Sequence, residues 1–243
     1  MRGFWAVCKR ELKAYFVTPV AYVFLVIFLF FASYLTFKSR FFADRQADLN
    51  DLFSWLPLLL VFMVPATAMR LWAEERKTGS IELLFTLPIT VAQAVLGKFV
   101  AAWLFLGLAL ALTFPLPLTV AYLGIPDLGP VLTGYFGAFL LAGAYLAVGM
   151  FFSALSKNQV ISFILAVVAS AVLLSAGLPT TLDFLAAFLP RGLVNAVETM
   201  SVQSHFESMQ RGVVAFTDVS FFLLLIAGWV VAGGVIVNER KAA

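Results

Sequence analysis

The stretch EERKTGSIELLFTLPIT, residues Glu74–Thr90, is a charged island between the apolar runs Leu56–Trp72 and Val91–Tyr122. Each of those runs approaches or exceeds the ~20 residues that cross a ~30 Å hydrocarbon core at 1.5 Å per residue. The island therefore belongs at a membrane edge. Outward from it, the runs Val20–Phe37, Val131–Phe152, Val160–Leu182 and Val219–Val237 repeat the same apolar character. Of the 243 residues, 63% are apolar and only 12% are charged, and mean hydropathy is +1.01. A water-soluble domain does not need so much apolar material to fill its core. The expected fold class is an all-α integral membrane protein with six transmembrane helices, one membrane domain over residues 1–243. Six spans and their connections account for this length, so no soluble catalytic domain is expected in it. The third run is too long for a straight crossing and holds Pro115 and Pro117, which predicts a kink, a tilt or an early exit.

Lysine and arginine placement orients the bundle. With both termini in the cytoplasm, eleven of the sixteen basic residues fall inside and five outside, while five of the thirteen acids fall inside and eight outside. The inverted topology would reverse that bias. The modest net charge of +3 follows from this asymmetry and gives no reason to expect nucleic-acid binding. Cys8 is the only cysteine, which excludes an intrachain disulfide and makes packing its expected role.

Within the island, Gly79 breaks the helix that continues from the second span. Ser80 is placed to cap a new one, with Glu82 in its first turn to complement the dipole. Ile81, Leu84 and Phe85 recur at i, i+3 and i+4, and Pro88 closes the element. A stub with that apolar triplet on view needs a partner, either the membrane surface or a groove on another protein. Before the first span, Phe4, Trp5, Cys8, Leu12, Tyr15 and Phe16 share a helical face, with Arg2, Lys9, Arg10 and Lys13 elsewhere on the wheel. That pattern predicts an interfacial amphipathic helix, ended by Thr18-Pro19.

The polar loop Lys38–Trp55 carries Asp44, Asp48 and Asp51, without the glycine and terminal glutamate of a calcium loop, so it reads as solvated surface. Between Asp183 and Asp218 two apolar faces, Phe184/Leu185/Phe188/Leu189 and Leu193/Val194/Val197/Met200, predict two short amphipathic helices on the outer side. Gly134/Ala138 and Gly143/Ala147 are spaced for close helix packing. His205 has Met200 and Met209 nearby, but a copper site needs more converging ligands, so no metal is assigned. A phosphate cradle of the form Gly-x-x-x-x-Gly-Lys-Ser/Thr does not occur, since Gly97-Lys98 is followed by Phe99.

The island resembles the segment joining spans two and three in permease subunits of ABC-2 type (type V) ABC exporters. The likeness extends to Lys9-Arg10-Glu11-Leu12-Lys13-Ala14-Tyr15-Phe16 before Thr18-Pro19, and to Leu96-Gly97-Lys98-Phe99. It also includes Ser204-His205-Phe206 followed by Arg211-Gly212-Val213. In order and together these look most like the gliding-motility-type branch. The resemblance implies an elbow helix over residues 2–18, with Lys9, Arg10, Glu11, Tyr15 and Phe16 as its marked positions. It implies a cytoplasmic coupling segment over 74–90 that docks on an ATPase through Glu74, Glu75, Arg76, Lys77, Gly79, Ser80, Ile81, Glu82, Leu84, Phe85 and Pro88. It further implies an extracytoplasmic helical segment over 183–218, marked by His205, Phe206, Arg211 and Gly212. The function implied is the permease of an ATP-driven exporter in the bacterial inner membrane, with no catalytic residue and no cofactor of its own. ATP and Mg would sit on a separate ATPase subunit. A second permease copy or related membrane subunit, and an extracytoplasmic auxiliary subunit, would complete the complex. An ion-driven secondary transporter and a non-transporting scaffold are the rival readings. The first normally places ionisable groups at mid-membrane, and the span centres here hold none.

Overall fold

The computed structural model describes residues 2–38, 48–86, 88–124 and 126–239, with the side chains of Arg2, Leu83, Leu84 and Phe85 left aside. All regular structure among the described residues is helical. In order the helices are α1 (Arg2–Val17), α2 (Pro19–Lys38), α3 (Asn50–Ala68), α4 (Arg70–Thr78), α5 (Ser80–Thr86), α6 (Val91–Ala111) and α7 (Pro115–Leu123). They continue with α8 (Leu128–Leu155), α9 (Gln159–Ser175), α10 (Pro179–Ala186), α11 (Arg191–Thr199), α12 (Val202–Gln210) and α13 (Phe216–Glu239). Among the described residues, five helical stretches are long and apolar enough to cross a membrane, counting α3–α4 and α6–α7 each as one, or six if the bent pair α9–α10 is a span.

The helix α8 is the axis of the bundle, with 78% of its most apolar window buried, against 28% for α2 and 22% for α13. Small residues let its neighbours come close. Gly134 meets the ring of Phe53, and Gly143 meets Trp103 and Ile226. The expected packing role of those glycines is therefore realised on α3, α6 and α13. Trp103 of α6 stacks on Phe139 of α8 at 4.5 Å and donates its Nε1–H to the Phe139 carbonyl at 2.8 Å. The peripheral faces of α2, α9 and α13 present Phe30, Ile164 and Leu224 outward, as lipid-facing surfaces do.

Several expectations need correction. The fifth run is not one straight helix, because α9 ends at Ser175 and α10 leaves at 75° after the break before Pro179. Proline at the first turn suits a new helix and lacks the N–H that would continue the old one. The loop expected up to Trp55 ends earlier, since α3 begins at Asn50. The far segment holds three short helices rather than two, and α12 was the unforeseen one. The long third run pauses at Leu112–Phe114 before α7, in keeping with its two prolines. Asp44, Arg40, Arg45, Leu87, Arg240 and Lys241, which entered the sequence reading, lie outside the described residues.

Candidate functional site

Three helices meet at the end of the bundle that carries α1, α4 and α5. The α1 helix lies against the first half of α6, and Gly97 is what lets it do so. A Cβ there would stand 3.0 Å from Val7 and 3.2 Å from the Phe4 carbonyl. Cys8 is buried near this contact, and burial raises its thiol pKa, as suits a packing cysteine. Tyr15 stacks on Phe105 at 4.7 Å. The predicted aromatic face of α1 is thereby divided. Cys8 and Tyr15 face protein, whereas Trp5 and Phe16 remain exposed beside Val17, and Lys9 points to solvent.

One turn along the same interface sits Lys98, only 2% exposed. Its Nζ lies 3.0 Å from Glu11 Oε1 of α1 and 2.9 Å from Glu75 Oε1 of α4. Arg10 Nη2 reaches the same two oxygens at 2.7 and 3.0 Å. Two cations and two carboxylates thus close a neutral knot joining α1, α4 and α6. Trp72 caps it, its ring 5.1 Å from the ammonium. Burial alone would raise the Glu11 pKa, but the Lys98 charge and the hydrogen bonds from Arg10 and Lys98 outweigh it and hold the carboxyl below its ordinary value. A buried cation needs such partners. The Gly97-Lys98 pair accordingly serves helix packing and charge balance.

A groove of about 380 Å³ opens beside the knot between α1 and the α4–α5 turn, lined by Arg10, Glu11, Tyr15, Arg70, Glu74, Glu75, Thr78 and Ser80. Arg70 donates to the Thr18 hydroxyl at 3.2 Å and lies 3.8 Å from Glu74. Gly79 ends α4 with φ of +72°, a left-handed cap that favours glycine. Ser80 opens α5, its hydroxyl 2.9 Å from that of Thr78. Arg76 turns to α8 and donates to the Ala154 carbonyl at 2.6 Å. Lys77, Glu82 and Pro88 are exposed. Ile81 departs from expectation: it is half-buried against the bundle core and is not on open display. Its short helix folds back towards its own bundle, so that position is satisfied within the chain. The side chains of Leu84 and Phe85, the rest of the expected triplet, lie outside the described residues.

At the opposite end, His205 of α12 joins α13. Its Nδ1 lies 2.7 Å from Asp218 Oδ1 and its Nε2 lies 3.0 Å from the Thr199 carbonyl, while the ring stacks on Phe221 at 4.1 Å. Both ring nitrogens are engaged, so His205 is a pin rather than a ligand in waiting. Phe206 is fully buried and packs near Gly137 of α8. Arg211 pairs with Glu207 on the surface at 3.3 Å, and Gly212 turns the chain with φ of +91°.

The marked residues thus form two groups, at opposite ends. Sequence reasoning missed Lys98 as the centre of the first, along with Trp72, Ser153 and Asp218. A signal for Lys98 was present: it is the one charge inside the Val91–Tyr122 run.

A helical bundle of membrane-crossing length, with a charged helix-turn-helix gripped at one end, defines a multi-pass membrane protein. The family described as ABC-2 family transporter protein matches residues 42–237, and the chain belongs to it. It is therefore the membrane component of an ABC transporter, a class that generally works with an ATPase partner and is generally non-catalytic itself. The match begins after α1 and takes in α4, α5, Lys98 and the far segment. Among curated proteins, none matches the chain.

Proposed function

We propose that this chain is the permease subunit of an ATP-driven exporter, in which α4 and α5 receive the stroke of a separate ATPase. Family membership carries the reading, and the placement of α4–α5 supports it. This charged turn continues from α3, and it is bonded to both α1 and α8. A push on it is therefore delivered to the bundle and not dissipated in a loose loop. The segment 74–90 is the coupling segment, α1 the elbow helix, and the end bearing them cytoplasmic, as the basic bias of the sequence favours. ATP and Mg belong to the partner. A second permease copy, or a related membrane subunit of the gliding-motility-type branch, faces this one. An extracytoplasmic subunit meets the α10–α12 end, and the complex resides in the bacterial inner membrane.

The test is co-purification with an ABC ATPase subunit of the same organism, co-expressed with this chain. Leu84→Asp is expected to abolish capture while membrane insertion stays normal. Undiminished capture by that variant would remove the docking assignment.

A further inference from the structure

We infer that the break between α3 and α4 is a hinge, and that Ser153 of α8 holds its pivot, so that α4 moves with α8 and not with α3. The inference starts from the backbone groups that such a break sets free. Pro65 has no N–H to give to the helix, and the Thr67 hydroxyl turns back on the Val64 carbonyl at 2.7 Å, an arrangement that bends helices. The Thr67 carbonyl accepts the Tyr15 hydroxyl of α1 at 3.2 Å. The Met69 carbonyl accepts the Ser153 hydroxyl at 2.9 Å, and the N–H groups of Trp72 and Ala73 both donate to that same oxygen at 3.0 and 3.1 Å.

A serine hydroxyl has one hydrogen to give and two lone pairs to receive with. Here all three are spent on one turn of another helix. In an unbroken helix, the Ala73 N–H would close directly on the Met69 carbonyl, four residues back. Ser153 stands in that rung. A side chain inserted in the ladder is a recognised cause of a kink.

The surroundings keep water away from this junction. Thr67, Ala68, Trp72, Ala73 and Ser153 are all buried, so water cannot replace a lost bond. The bridged state seen here satisfies these groups; a straight one, in which Ala73 bonds Met69 and the Ser153 hydroxyl turns back on a carbonyl of its own helix, would satisfy them too. The neighbouring turn of α8 packs on the end of α3, just before the break. Gly149, four residues before Ser153, lies so close to α3 that a Cβ there would stand 2.5 Å from Ala68. The Arg76 bond to the Ala154 carbonyl adds a second fastening to the same end of α8. Movement of the coupling segment thus reaches the central helix, which in turn bears α12 through the Thr133 bond to the Met209 carbonyl at 2.7 Å. The driving force rests on the coupling role proposed above; the hinge itself does not.

The test uses the full chain in lipid nanodiscs, in a Cys8→Ala background, with pulsed-EPR spin labels on introduced cysteines. One pair at 77 and 157, in the turn directly after α8, reports α4 against the end of α8, and one at 62 and 77 reports α4 against α3. Ser153→Ala is expected to shift or widen the first distribution by about 2 Å or more, the scale of interhelical shifts. The second should stay as narrow as before, and the Trp72 and Ala73 amides should stay protected from hydrogen exchange, because the ladder closes. An unaltered 77–157 distance would overturn the hinge, as would lost protection with broadening of both pairs, which is local unfolding. Neither result bears on ATPase capture, and failed capture would leave these distances unaffected.

Discussion

Replacing Lys98 by Met removes the centre of the charge knot while keeping its length and most of its packing. In the native arrangement the ammonium is 2% exposed and the two carboxylate side chains 15% and 17% exposed. Truncating one member of a buried ion pair costs about 3–5 kcal/mol, mainly because the orphaned charge stays buried. Arg10 still reaches both carboxylates but is 50% exposed, so the lower end, about 3 kcal/mol, applies. At about 2–4 °C per kcal/mol for a chain of this size, the unfolding midpoint should fall by about 6–12 °C. The assay is a thermal scan of the nanodisc-embedded protein by tryptophan fluorescence, to which Trp72 contributes from beside the substituted group. Adding Glu75→Gln restores charge balance and should recover about 1–2 kcal/mol of the loss, the coupling expected of groups in direct contact. A Lys98→Met midpoint within about 2 °C of the parent, or additive losses in the double variant, would refute the knot as a cohesive element.

Acidification tests the same site by another route. The Glu11 pKa is held below its ordinary 4.5 in the folded chain, so its contribution is complete above that value and is lost as pH falls through the lower folded one. Midpoints measured from pH 6 to 3 should drop at the acidic end in the parent and less steeply in Lys98→Met. At the far end, His205→Ala leaves the buried Asp218 carboxylate without its partner, at about 1–3 kcal/mol. Proteolysis of residues 199–215 in proteoliposomes should quicken by about tenfold, since 1.4 kcal/mol is a factor of ten and α12 keeps its Thr133 bond. An unchanged cleavage rate would show that the pair does not secure α12.

Length and apolarity made the spans legible, because lipid imposes the same requirement on every crossing element. The helix α1 and the Gly79 turn were legible for local reasons, amphipathic spacing in one case and a left-handed cap in the other. Lys98 was harder. From the sequence it is a single charge near a span end, where such residues usually reach for water. Only the approach of α1 at Gly97 brings Glu11 to it, and nothing local in residues 1–20 announces that contact. The bend after Ser175 was hidden by continuous hydrophobicity, since Gly177 and Pro179 lie within an apolar run whose length alone suits a straight crossing. α12 escaped because Val202, Phe206 and Met209 are spread among polar residues, and they are buried by α8 and its surroundings, not by a strong pattern of their own. Ile81 shows the opposite error: its spacing fitted a free face, and tertiary packing claimed it.

The charge knot also imposes an order on biogenesis. Glu11 precedes Lys98 by 87 residues, so it is made long before its buried partner, with Arg10 beside it in the meantime. A nascent chain halted short of position 98 leaves Glu11 without that partner, and α1 without α6 to lie against. The contact between α1 and α6 therefore closes only once the chain has been made through Lys98.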